Sequence, residues 1–216
     1  MSREYTDYAT FSRTDFLGEH PPIEHPVTLA SSGIEAQLPA GTVLGRIDRG
    51  LGVPVAGANT GDGALADAEL GQDAKIGDYL LTCITAAENG GVFAVHDPDG
   101  FRLADATVGE TYDGPILFTI ADGATDFVVG DAFTVPVVVP ATLKHTPWDP
   151  DAVDGSQRPC GILAEDLTVP AAGDEVGVAY VHGSFILSGL DFGEDATEAQ
   201  INEAVRALAG IGIHVK

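Results

Sequence analysis

Few residues in this sequence have the type and spacing that chemistry requires. The acidic cluster Asp149-Pro150-Asp151-Ala152-Val153-Asp154-Gly155 holds three carboxylates that could ligate a hard cation such as calcium through oxygen. Its pattern departs from an EF-hand loop. Pro150 stiffens the second position, and Cys160 stands at the twelfth, where such a loop needs a bidentate glutamate. The cluster therefore reads as an acidic surface turn, as do Asp97 and Asp99. The histidines His20, His25, His96, His145, His182 and His214 show neither His-x-x-x-His nor His-Glu-x-x-His spacing, so no metal site is indicated. His182-Gly183-Ser184 lacks the Gly-x-Ser-x-Gly elbow of a hydrolase and reads as a β-turn with an exposed histidine. Cys83 and Cys160 lie among apolar neighbours with no adjacent base, and read as small buried hydrophobes. No glycine-rich phosphate loop follows a strand and opens a helix, so no cofactor is expected. Trp148, the sole tryptophan, reads as a packing anchor.

The elements that would position these groups are short. Twenty-seven glycines and thirteen prolines punctuate runs rich in Val, Ile, Thr and Phe, the pattern of a mainly β protein with little helix. Residues 1–26 read as an extended arm. Tyr5, Tyr8, Phe11 and Phe16 are spaced among charged and small residues, and the prolines of His20-Pro21-Pro22-Ile23-Glu24-His25-Pro26 disfavour helix. Strands are expected at 27–30 and 42–47. Residues 54–140 form a distinct segment with fourteen acidic residues against Lys75 and Arg102, a net of 2 − 14 = −12. Its strands are expected at 79–86, 92–96, 101–104, 116–120 and 133–139, with Asp97-Pro98-Asp99-Gly100 as a turn. This is the outline of an inserted β-sandwich-like or meander domain. Further strands are expected at 161–164 and 176–181. A helix near the C-terminus is capped by Thr197 and Gln200, carries Ile201, Val205 and Leu208 as its apolar stripe, and stops at Gly210 before a last strand over 211–215.

Charge and hydropathy narrow the partners. Thirty-three Asp and Glu against ten Lys and Arg give a formal charge of −23, which opposes binding to nucleic acid or to an anionic membrane. No apolar run has the length of a membrane span, and no secretory signal is visible at Met1-Ser2-Arg3-Glu4-Tyr5, so synthesis in a host cytoplasm is expected.

The order of several motifs resembles the bacteriophage lambda head decoration protein D family. The motifs are Leu38-Pro39-Ala40-Gly41-Thr42-Val43-Leu44, Trp148-Asp149 followed by Asp154-Gly155, Gly161-Ile162-Leu163-Ala164, Tyr180-Val181-His182-Gly183-Ser184-Phe185, and Ala207-Leu208-Ala209-Gly210-Ile211-Gly212-Ile213. The resemblance covers about 27–53 and 141–216, which form a discontinuous decoration-protein body. Shorter family members join the first strand to the Trp-Asp turn through a tight hairpin, where this sequence inserts 54–140.

The resemblance implies a virion structural protein that is no enzyme. It implies a homotrimer at threefold positions on the outer surface of the mature capsid, stabilising the head against internal DNA pressure. The partners would be the major capsid protein of a tailed phage and further copies of the chain. The arm residues expected to meet the capsid are Tyr5, Tyr8, Phe11, Phe16 and Ile23. Those expected to pack the body are Trp148, Ile162, Leu163, Ile201, Val205 and Leu208. The alternative is a capsid-displayed receptor- or carbohydrate-binding module carried by the insert, which an exposed patch of Tyr79, Phe93, Phe101 and Tyr112 would favour.

Overall fold

The computed structural model describes residues 16–216, so Tyr5, Tyr8 and Phe11 lie outside the described residues. In chain order the first strands are β1 (Ile23–Leu29), β2 (Ala36–Leu38) and β3 (Val43–Arg46). There follow β4 (Gly50–Leu51), β5 (Val55–Ala56), β6 (Ala64–Leu70), β7 (Gly77–Ala87), β8 (Gly90–His96), β9 (Arg102–Thr107), β10 (Thr111–Tyr112), β11 (Ile116–Ala121) and β12 (Ala132–Val138). The chain ends with β13 (His145–Pro147), β14 (Pro159–Leu163), β15 (Leu167–Val169), β16 (Glu175–Phe185), the helix α1 (Glu198–Gly210) and β17 (Ile213–Val215). The fold is mainly β with one C-terminal α-helix, as the composition and periodicity indicate.

The chain divides into two compact units. One comprises the residues up to Arg46 with Lys144–Pro150 and Ser156–Lys216, and the other comprises Ile47–Leu143 with Asp151–Gly155. The second unit is thus wider than the 54–140 segment. It takes in β4, because Gly50 and Leu51 pair with Val138 and Val137 of β12.

In the first unit, strands β1, β13, β3, β14 and β16 are neighbours in that order, and β16 pairs back onto β1, which closes a small barrel. Closure leaves the central strands buried on both faces. Val43, Ile162 and Tyr180 pack in one cluster with Trp148, Phe192 and Leu208, while their neighbours Leu44, Leu163 and Ala179 pack in another with Val27, Leu29 and Val169. Strands covered on both sides read as continuous apolar runs, as Gly161-Ile162-Leu163 does. Helix α1 covers the first cluster through Ala204 and Leu208, with Ile201 and Val205 half-buried beside them. Thr197 and Gln200 close a reciprocal capping box at its start. The helix runs through Gly210, and the left-handed residue that turns the chain is Gly212, at φ 90°.

In the second unit, β4, β12, β7, β8 and β9 form one sheet and β10, β11 and β6 another, with β5 on the edge of β12. Both sheets face one core. Tyr79, Leu81 and Cys83 of β7, Phe93 and Val95 of β8 and Phe133, Val135 and Val137 of β12 meet Tyr112, Ile116, Phe118 and Ile120 from the second sheet. Their period-two alternation is what makes these strands legible in sequence. Strand β6, Ala-Leu-Ala-Asp-Ala-Glu-Leu, has little β propensity and carries Asp67 at φ 52° beside a register shift against β11. Only pairing with β11 makes it a strand.

Candidate functional site

The segment that precedes β1 is built into the first unit. Phe16 is fully buried, its ring 6.1 Å from Tyr180 and 6.4 Å from Phe185. Gly189 permits this approach, since a Cβ there would lie 2.6 Å from that of Phe16. The backbone is tied as firmly as the ring. Ile186 N–H donates to the Phe16 carbonyl (2.7 Å), Gly18 N–H to the Ser184 carbonyl (2.7 Å) and His20 N–H to Ser184 Oγ (3.0 Å). Leu17 bridges Phe185, and β1 then pairs antiparallel with β16 from Ile23 opposite His182 to Leu29 opposite Glu175. The expected arm of 1–26 is therefore packed on the body from Phe16 onward. An aromatic ring in a polar tail looks free in sequence, and the pocket that receives it comes from residues more than a hundred positions away.

The His182-Gly183-Ser184 reading needs the same kind of correction. These residues lie within β16 rather than in a turn. His182 is half-buried with its ring 5.2 Å from that of His20, and Ser184 is buried. His20, His182, Ser184, His214, Glu19 and Lys216 line a concavity of about 530 Å³ beside the anchored segment.

Of the residues expected to pack the body, Trp148, Ile162 and Leu208 share the Phe16 cluster, and Leu163 lies in the barrel interior. Trp148 Nε1 donates to the Gln157 carbonyl (2.8 Å), and its ring stands edge-on to Phe192 at 5.9 Å. Sequence reasoning missed Phe192, whose signal was only a single apolar residue in a polar stretch, whereas Ile213, in the expected last strand, is fully buried in the same cluster. Ile23, named for the arm, is half-exposed at the start of β1.

Among the described residues no group of three or more His, Cys, Asp or Glu is placed to hold a metal ion, and no helix is long and apolar enough to cross a membrane. Burial pushes the Cys160 thiol up to about 11, against a smaller opposing pull from Arg46, and raises the Cys83 thiol, so neither is a ready thiolate at neutral pH. In the acidic turn at 149–155, the Asp154 carbonyl accepts from the backbone N–H groups of Asp48 and Arg49, each at 3.0 Å.

Two buried carboxylates of the second unit are held by backbone donors. Asp97 accepts from the Asp99 and Phe101 backbone N–H groups and pairs with Lys75 at 2.6 Å, and the Lys75 hydrogen bond holds its carboxyl below the ordinary value. Asp131 is 4% exposed and accepts from the backbone N–H groups of Thr60, Gly61 and Val128. Desolvation opposes its ionisation, but those three donors outweigh it and lower its pKa. Tyr79, Phe93 and Tyr112 are core residues, whereas Phe101 is 68% exposed with Lys75 Nζ 5.7 Å from its ring centre. The four do not form an exposed aromatic patch.

No curated protein sequence matches the chain. Two crystal structures of Xanthomonas campestris FlgL, in space groups H3 and C2, are each 21% identical to it with a TM-score of 0.32. They align with 49% and 45% of this chain, and the chain covers only about a third of their length, 34% and 32%. Likeness at that level carries no functional argument. A family model does match: that of bacteriophage lambda head decoration protein D aligns with residues 15–213, from the anchored Phe16 to the last strand and through the second unit. The chain belongs to that family, that of the phage head decoration proteins.

Proposed function

We propose that this protein is a capsid cement: a homotrimer at threefold positions on the outer surface of the mature head, whose N-terminal residues add main-chain hydrogen bonds to a strand of the major capsid protein and hold neighbouring capsid subunits against internal DNA pressure. The observation that carries this reading is the anchoring of Phe16. Phe16 is held by its ring, buried against Tyr180 and Phe185, and the chain around it by two backbone hydrogen bonds and the His20 N–H bond to Ser184 Oγ, so a load that reaches Phe16 along the chain passes directly into the barrel. Strand addition suits the task, because main-chain bonds supply affinity without a reaction. Multiplicity supplies the rest. With three segments linked in one trimer, the second and third contacts become effectively intramolecular, raising avidity by roughly 10² to 10⁴. The net charge of −23 suits an exterior position away from packaged DNA.

Cosedimentation tests the reading. The intact chain is expected to pellet with expanded capsids and not with procapsids, and deletion of residues 1–15 is expected to abolish pelleting while the body stays folded. Decorated full heads are expected to rupture at higher temperature than bare ones, and EDTA is expected to leave the protein bound. Equal rupture thresholds, or undiminished pelleting of the truncated chain, would refute it.

A further inference from the structure

The outer face of the larger sheet in the second unit stands apart from the acidic segment that builds it. Phe133, Val135 and Val137 of β12, Tyr79, Leu81 and Cys83 of β7 and Phe93 and Val95 of β8 point into the core, so the residues alternating with them point outward. Register sets the outward residues in rows across the strands. One row runs Val55, Thr134, Leu80 and His96, and the next runs Ala132, Thr82 and Ala94. Neither row holds a carboxylate, although residues 54–140 contain fourteen. At the margins, Asp78 stands one row further out opposite Pro136, and Arg102 and Asp105 on β9 pair with each other at 2.8 Å. The two rows also differ in height. Val55 is 59% and Leu80 45% exposed, whereas the second row has small side chains and its Ala94 is buried.

We propose that this face is an interface between two copies of the chain, packed sheet to sheet about a twofold axis that runs between the two rows and parallel to them. The Val55–Thr134–Leu80 ridge of each copy then lies over the Ala132–Thr82–Ala94 trough of the other. A ridge beside a trough makes the surface self-complementary, which is what a twofold contact requires. Sheets stacked this way stay aligned and interdigitate their side chains. Charge selects the same partner. Two chains of −23 repel wherever their carboxylates oppose, and across these rows an apolar contact forms with none between them. The same axis sets the Asp78 row of each copy over the Val92 end of the other, so the two Asp78 carboxylates do not meet.

Area sets the strength of the contact. Four strands about 4.8 Å apart and four rows about 6.8 Å apart, counting those of Pro136 and Val92, cover roughly 500 Å². A standard stable interface buries about 800 Å² per partner. The pairing is therefore weak between free chains, and it gains where copies are held side by side on one surface, because each further contact is then effectively intramolecular.

The test uses the intact free protein and does not depend on the capsid reading. Sedimentation velocity follows the weight-average mass from micromolar to millimolar protein, in dilute and in concentrated NaCl. The mass is expected to rise with concentration, and more steeply in high salt, which screens the repulsion between two acidic chains and leaves the apolar contact in place. Leu80→Glu is expected to weaken the association by about tenfold or more, because it sets unpaired carboxylates inside the contact. Val55→Glu, at a more exposed edge position, is expected to weaken it in the same direction and keeps the test decisive if Leu80→Glu misfolds. Thr111→Glu makes the same change of charge on the exposed face of the other sheet and is expected to leave the rise intact. Assembly through other surfaces, the proposed trimer included, is common to all these chains, so the difference between wild type and Leu80→Glu reads this face alone. A wild-type mass that does not rise, a rise that both Leu80→Glu and Val55→Glu leave unchanged, or one that salt abolishes, would overturn the proposal. Loss of capsid pelleting by Leu80→Glu with no rise in the wild type would overturn it too, and would assign the face to the capsid protein.

Discussion

Replacing Phe16 with alanine would remove a ring that is wholly shielded from solvent and packed on Tyr180, Phe185 and the backbone at Gly189. A buried Phe hides roughly 150–250 Å². At about 25 cal/mol per Å² this corresponds to roughly 4–6 kcal/mol, and incomplete collapse of the cavity places the net loss at about 3–5 kcal/mol. The first unit has its own reporter, since Trp148 is the sole tryptophan and belongs to the same cluster as Phe16. Urea unfolding followed by its fluorescence should show the midpoint falling by roughly 2 M, for a slope of about 1–3 kcal/mol per M. Phe16→Leu, which conserves most of the volume, should lose less than about 1.5 kcal/mol. Capsid binding by Phe16→Ala should weaken even where the body remains folded, because the anchor of the N-terminal segment is gone. An unchanged urea midpoint would refute the packing argument and return Phe16 to a free arm.

Three further outcomes are expected. Asp131→Asn leaves an amide group facing backbone donors at Thr60, Gly61 and Val128, and should destabilise the second unit by about 2–3 kcal/mol, read as faster amide exchange at those positions. Since the folded state lowers the Asp131 pKa from 3.8, its contribution is fully present above pH 3.8 and is lost as the pH falls through the folded value; unchanged acid unfolding in the variant would contradict this. Burial, with Arg46 nearby, lowers the His145 pKa below 6.5, so the neutral ring stabilises the first unit above pH 6.5 and that stability is lost as the pH falls toward the folded value; His145→Gln should flatten the dependence measured by Trp148 fluorescence. Replacing residues 47–144 with Asn-Gly should leave the first unit folded, because Arg46 and His145 are directly opposed in an antiparallel pair that a two-residue turn can close; loss of the Trp148 unfolding transition would show that the units are not independent.

How much the sequence could determine follows from how local each signal is. The strands of the second unit alternate with period two because one face meets a core, so Tyr79, Leu81, Phe133 and Val135 announce their own burial. The helix cap needs only Thr197 and Gln200, three residues apart. The Asp97-Pro98-Asp99-Gly100 turn is likewise complete within itself, with Gly100 N–H donating to the Asp97 carbonyl at 2.9 Å. The motifs that carry the family resemblance are also local, and the family match bears out the resemblance. Tertiary structure alone decided whatever depends on distant partners. Phe16 is a core residue because β16 and Gly189 make a place for it, 164 to 173 positions along the chain. His182-Gly183-Ser184 is strand rather than turn because β1 pairs along β16 as far as His182 and β17 pairs with Gly183 and Ser184. The histidine concavity has no sequence signature at all, since His20, His182 and His214 are brought together only by closure of the barrel and the addition of β17, and spacing rules detect only ligands that share one element.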